Sequence, residues 1–252
     1  MGATDEHKPL ISIITITYNA EKELPATMKS VAMQSFKDFE HLIIDGASKD
    51  ETIKTACEFG TENLIVKSEP DKGLYDAMNK GLREATGKYI LFLNAGDAFH
   101  SPDTLEKYAE AAYLNPDIIY GDTVIVNEAR EVLRPRHLAA PENLTFKSFS
   151  NGMLVCHQAF MVKRELAPEY DLSYRFSADY DWTVKCLSKT KSENCINLKT
   201  ITIDYLEAGM TDKNKMASLK ERMRIMAHHY GWPLTLFNHF KFIFRTIKRK
   251  GL

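Results

Sequence analysis

Apolar residues along the chain recur with two alternating periods. Residues 10–17, LISIITIT, are an almost unbroken β-branched run, which suits a strand covered on both faces of a parallel sheet. Leu24, Met28, Val31 and Ala32 then recur at helical spacing. FEHLIID (Phe39–Asp45) predicts a second strand, and residues 50–59 a helix stopped by Gly60. NLIVKSE predicts a third strand. Leu74, Met78, Leu82 and Ala85 give an amphipathic helix that ends at Gly87, and KYILFLN gives a fourth strand. Ser101-Pro102 predicts a capped helix start, with the helix running to about Tyr113. DIIYGDTVIVNEAREVL reads as a β-hairpin turning near residues 127–130, and MLVCHQAFMVKR as a further strand. SADYDWTVKCLSK predicts a helix with Asp179 and Asp181 in its first turn, and NCINLKTITIDYL a late strand. EAGMTDKNK is a polar loop. Helices near 215–230 and 234–250 follow it, separated by Gly231 and Pro233.

Strand and helix alternating every 20–30 or so residues predict a doubly wound α/β layer. Such layers bind ligands in the crevice at the carboxyl ends of their strands. The polar residues that fall there are Thr17-Tyr18-Asn19, Asp45-Gly46, Glu69-Pro70-Asp71 and Asn94-Ala95-Gly96-Asp97. Asp45, at a strand end, can accept hydrogen bonds from a base or ribose, or can cap the helix after it. Asp97 can hold a hard cation that already carries phosphate oxygens, or belong only to a turn. Asp179 and Asp181 suit a helix N-terminus electrostatically, whatever else they do.

The chain has 252 residues, which suits one large domain, or one with an appendage. We divide it into a main α/β domain over 1–214 and a helical extension over 215–252. The formal net charge is −1, so no global field favours nucleic acid. Cys57, Cys156, Cys186 and Cys195 show no metal-ligand spacing and read as reduced thiols, which suits a cytoplasmic setting. No stretch of eighteen apolar residues and no signal peptide is present, so the expectation is a protein that does not span a membrane by itself. The last helix carries an apolar stripe of Leu236, Phe237, Phe240, Ile243, Phe244 and Ile247 beside Lys241, Arg245, Lys248, Arg249 and Lys250. It fits a helix packed on its own domain, or one lying on the anionic inner face of a membrane.

ISIITITYN, LIIDGASKDET, SEPDKGLYDAMNKGLREATGKYILFLNAGD and SADYDWTVK, in that order, resemble the successive motifs of glycosyltransferase family 2, with its GT-A fold. The resemblance runs from about residue 10 to 187 and is nearest to bacterial polysaccharide-assembly members. It implies an inverting transfer of sugar from a nucleoside-diphosphate donor to a hydroxyl of a glycan or lipid-linked acceptor. Thr17, Tyr18, Asn19 and Asp45 would line the nucleotide pocket. Asp71, Lys72 and Gly73 match the loop near the sugar nucleotide. Asn94 to Asp97 stands where the family has its DXD-type motif for Mn²⁺ or Mg²⁺. Asn94 and Gly96 replace the acidic positions there, and Asp97 is retained. Asp179 matches the general base. No QxxRW-like element follows, which disfavours a processive synthase. By position, His157 and Gln158 are expected to contact donor or acceptor, and residues 207–213 to close over the donor. Two other readings remain open: a sugar-phosphate nucleotidyltransferase, which would want a glycine-rich basic loop after the first strand, and a nucleotide-sugar-binding scaffold with a decayed metal motif.

Overall fold

The computed structural model describes residues 7–207 and 215–250, with Lys215 and residues 243–250 described by backbone alone. Strands β1 (Ile11–Thr17), β2 (Phe39–Asp45), β3 (Leu64–Ser68) and β4 (Tyr89–Phe92) are joined by helices α1 (Leu24–Ala32), α2 (Thr52–Phe59) and α3 (Leu74–Glu84). β1 pairs in parallel with both β2 and β4, and β2 pairs in parallel with β3. Every residue of β1 and β2 is buried, which is why both strands read as runs instead of alternating. Chain order reverses at β1, so the crevice opens at the carboxyl ends of β1 and β4.

The second half completes a mixed sheet of order β3-β2-β1-β4-β8-β6-β9-β5, with β7 paired to β6. Its elements are β5 (Ala98–Phe99), α4 (Thr104–Ala112), β6 (Ile118–Val126), β7 (Val132–Pro135), β8 (Phe160–Lys163), α5 (Ala178–Ser188) and β9 (Cys195–Leu206). β6 and β7 form the expected hairpin. Two helices follow, α6 (Lys215–Tyr230) and α7 (Trp232–Lys250). Ile225 and Met226 of α6 are wholly buried in the same core as the sheet.

Three local expectations are corrected. The apolar run MLVCHQAFMVKR is a strand only over its last third. His157–Ala159 forms a 3₁₀ turn, closed by the Ala159 N–H on Cys156 O at 2.9 Å. Met153, Val155, Cys156 and Ala159 are apolar because the turn is buried, not because it is extended. Ser101-Pro102 belongs to a turn before α4, which starts at Thr104 with its N–H on Ser101 O. α7 starts at Trp232, ahead of Pro233. Gly231, at φ +80°, makes the break alone, and Pro233 sits in the first turn, where its missing N–H costs nothing. Beyond Glu207, the loop expected over 207–213 lies outside the described residues.

Candidate active site

The turn after β4 is built to be rigid. Gly96 takes φ +99°, a backbone conformation that favours glycine. Thr27 of α1 pins it: its hydroxyl accepts the Gly96 N–H at 3.0 Å and donates to Asp97 O at 2.7 Å. Asp97 is only 5% exposed. Its Oδ1 accepts the Leu206 N–H at 3.0 Å, and its Oδ2 accepts Gln158 Nε2–H at 2.7 Å. Burial pushes its pKa up to about 7, although both hydrogen bonds and the Arg130 charge pull it down. The carboxylate therefore ties the β4 turn to the end of β9 and to the 157–159 turn.

The next residue back in that turn leads to Asp179. His157 Nδ1 lies 4.0 Å from Asp179 Oδ2, and His157 Nε2 lies 3.5 Å from Asn94 Nδ2. Burial lowers the His157 pKa, against the pull of the Asp179 charge, so the ring is neutral near pH 7. Asp179 stands in the first turn of α5 with its side chain 22% exposed, and the Tyr75 hydroxyl lies 3.4 Å from Oδ1. Asp181, two residues on, is turned inward. His229 Nε2 and Lys185 Nζ each lie 2.7 Å from its carboxylate. Of the two carboxylates in this turn, Asp179 is the open one.

Asn94, Asp97, His157, Gln158 and Asp179 are thus brought together near the carboxyl end of β4. Asp97 and Asp179, 82 residues apart in sequence, flank the single dipeptide His157-Gln158. Spacing carried no hint of Tyr75 or Thr27, which lie in helices far from the residues they serve. Nor does spacing link His229 to its carboxylate partner Asp181, which lies 48 residues away.

The residues after β1, β2 and β3 form a neighbouring group. Tyr18 is 65% exposed. Asn19, at φ +48°, braces the two loops: its N–H donates to Ser48 Oγ at 2.8 Å, and its Oδ1 accepts the Lys49 N–H at 3.0 Å. Asp71 lies where a side chain on Gly46 would stand, with the Tyr18 ring beside it. Gly73, at φ +121°, donates its N–H to Asp71 Oδ1, and the Lys72 N–H goes to Asp76 Oδ2. Asp45 joins this group through the Ser48 hydroxyl, which also accepts the Asn19 N–H, and is 1% exposed. Its oxygens accept hydrogen bonds from Thr17 Oγ1, Ser68 Oγ and both the N–H and the hydroxyl of Ser48. Burial alone would raise its pKa, but these bonds hold it below the usual carboxylate value.

Asp45 is therefore expected to matter for stability. In Asp45→Ala four donors lose their acceptor, which costs on the order of 3 kcal/mol. The urea midpoint should fall with an unchanged slope. The carboxylate's contribution is present above the unfolded value of 3.8 and fades as pH falls through its lower folded value. The gap between wild type and Asp45→Ala should narrow accordingly in acid. A midpoint unaffected by the substitution would overturn this account.

Fitness for a cation rests on two atoms in the 94–97 turn. Asn94 Oδ1 is buried with no hydrogen-bond partner among the described residues, and Asp97 is a buried carboxylate with a raised pKa. Both are oxygen donors, the ligand type of Mg²⁺ and Mn²⁺, which usually take one or two carboxylates and complete their shells with phosphate and water. No group of three or more His, Cys, Asp or Glu residues that could hold a metal alone stands among the described residues. The set fits a cation that arrives with a diphosphate, not one caged by protein alone.

Residues 12–170 match the family described as Glycosyl transferase family 2. A PGL/p-HBAD biosynthesis glycosyltransferase of Mycobacterium tuberculosis is 37% identical over 188 residues, which cover 71% of this chain and 70% of that protein. Staphylococcus aureus TarS 1–349, solved in complex with UDP-GlcNAc, superposes with a TM-score of 0.70 at 19% identity. That superposition covers 87% of this chain and 66% of TarS 1–349, so the chain spans just under two thirds of that neighbour. Glucosyl-3-phosphoglycerate synthase of Mycobacterium tuberculosis, solved with Mn²⁺, UDP and glucosyl-3-phosphoglycerate, superposes at 0.62 with 12% identity, covering 88% of this chain and 80% of that one. At these identities the two structures speak to the GT-A fold alone.

Proposed function

The chain belongs to glycosyl transferase family 2, and we propose that it moves a sugar from a nucleoside-diphosphate donor to an acceptor hydroxyl with inversion at the anomeric carbon. The observation that carries this reading is the dipeptide His157-Gln158, which holds Asp97 on one side and faces Asp179 on the other. One end of the crevice then meets the diphosphate and the other the incoming alcohol.

The acceptor oxygen attacks the anomeric carbon while its proton passes to the Asp179 carboxylate, and the bond to the diphosphate oxygen breaks. A sugar hydroxyl is too weak an acid to ionise first, so the base works during the attack. Asp179 suits this role because it alone of the α5 pair is open, with Asp181 paired to His229 and Lys185. Acting as a base and not as a nucleophile, Asp179 serves direct displacement, and hence inversion. His157 lies between Asn94 and Asp179, and the Tyr75 hydroxyl is the group within hydrogen-bond reach of the base. A divalent cation, Mn²⁺ or Mg²⁺, on Asp97 and Asn94 Oδ1 would neutralise the charge that the diphosphate gains on leaving.

Tyr18 and Asn19, with Asp71, Lys72 and Gly73 opposite, are the residues we assign to the nucleotide. Thr17 and Asp45 act from below, by holding the Ser48 loop in shape. The acceptor in this reading is a glycan or lipid-linked sugar of bacterial cell-surface polysaccharide assembly, met on the inner face of the membrane. Among the described residues no helix is long and apolar enough to cross a membrane.

A thermal-shift panel of UDP, GDP and dTDP, each with and without Mn²⁺, tests the donor half. One nucleotide at a hundredfold excess over its Kd should raise Tm by roughly 5 °C or more, and further with the metal. No shift from any of the three would sink the proposal.

A further inference from the structure

The last helix leaves a broad apolar arc uncovered by its own domain. On α7, Thr235 is 0% and Asn238 2% exposed, and Asn238 donates Nδ2–H to Ser150 O at 2.8 Å. Trp232, Leu236, Phe237 and Phe240 are between 49% and 63% exposed. At about 100° per residue these four positions share one arc, and positions 243, 244 and 247 return to it. In the sequence these are Ile243, Phe244 and Ile247. Thr235 and Asn238 thus face the body beside the partly buried Leu234 and Phe242, while the apolar arc of Trp232, Leu236, Phe237 and Phe240 faces water, an arrangement that the hydrophobic effect opposes unless something covers it.

Charge identifies the cover. Lys241 borders the exposed arc, its Nζ 4.5 Å from the centre of the Phe237 ring. Arg245, Lys248, Arg249 and Lys250 follow in the sequence, and no Asp or Glu comes after Glu221. A second copy placed on this face would bring like charges together. An anionic lipid surface would bring the opposite charge and an apolar layer beneath it.

We propose that the outward face of α7 docks on an anionic lipid surface, with its apolar side chains entering the headgroup boundary and its basic residues meeting lipid phosphates. This rests on the transfer reading only for its purpose, which is to bring the crevice to a lipid-linked acceptor. The docking face is firmly joined to the base. The Glu221 carboxylate of α6 accepts the N–H groups of Arg175 and Phe176, just before α5, each at 2.7 Å. Asp181 of α5 pairs with His229, also on α6.

Co-sedimentation of the full chain with vesicles tests the proposal independently of any donor. Vesicles of phosphatidylcholine alone should bind weakly, and binding should rise about tenfold or more when phosphatidylglycerol is added at low salt. High salt should release the protein. The exposed pair Phe237→Ser/Phe240→Ser should lose about tenfold in binding, with Tm and the nucleotide-induced shift kept. The charge-reversed pair Lys241→Glu/Lys248→Glu should lose the preference for phosphatidylglycerol. Equal binding to both vesicle types, or none, would overturn the proposal. So would a dimer in solution that the Phe237→Ser/Phe240→Ser pair dissolves while the parent ignores vesicles. A chain that docks on vesicles but shifts with no nucleotide would keep this inference and sink the transfer reading.

Discussion

Asp179→Asn is expected to lower kcat by about 10²- to 10⁴-fold and to leave donor affinity within about twofold. The amide keeps the size of the carboxylate and its place at the start of α5 but cannot take a proton from the acceptor. Losing one negative charge from a helix N-terminus costs only about 0.3–1 kcal/mol, so the fold should survive. The informative control lies two residues away. Asp181→Asn removes a buried carboxylate that holds His229 and Lys185 and so fastens α6 to α5. Leaving His229 and Lys185 unpaired is expected to lower Tm, with a far smaller effect on kcat in the folded fraction. Steady-state kinetics with nucleotide binding by calorimetry would separate the two variants. If Asp179→Asn retained full turnover, or if Asp181→Asn lost it without losing stability, the base assignment would fail.

The contrast between these two aspartates also shows what can be read from sequence. Both sit in SADYDWTVK at a helix start, and only the family resemblance singled out Asp179. The physical difference is the direction in which each side chain leaves the helix, and it depends on α6, which approaches from far along the chain. Asp45 makes the same point. A carboxylate at a strand end suits a ligand, yet here it faces inward, because Thr17, Ser48 and Ser68 converge on it from three segments. Elements with a regular period were legible. β2 has the bounds its apolar run predicts, since a strand buried on both faces leaves no other pattern. The run before β8 was misread, because burial makes any backbone shape apolar. The stripe on α7 was visible as a stripe, but nothing in a helical period says which face meets the body. Asn238 and Thr235 decide that through tertiary contacts.

Asp97→Asn should separate the cation-holding role of the 94–97 turn from its structural one. The wild-type carboxyl, with a folded pKa of about 7 against an unfolded 3.8, holds its proton in the folded state across that interval while the unfolded chain gives it up. Stability therefore falls as pH rises from about 4 to 7, by a few kcal/mol in all. The asparagine variant, with no such proton to lose, should be relatively more stable above pH 7. A cation that arrives with the diphosphate would restore what the wild type has lost. Mn²⁺ with nucleoside diphosphate should then raise the wild-type Tm more at pH 8 than at pH 6, and should raise the Tm of Asp97→Asn little at either pH. Turnover of the variant should drop by about 10²- to 10³-fold, the range seen when one preorganised electrostatic contact to a developing charge is removed. Mn²⁺ binding followed by electron paramagnetic resonance gives a reading free of turnover. A variant that binds Mn²⁺ and transfers sugar as well as the wild type would leave Asp97 as a strut between the β4 turn, Gln158 and Leu206, and the leaving charge would then have to be met by other groups in the crevice.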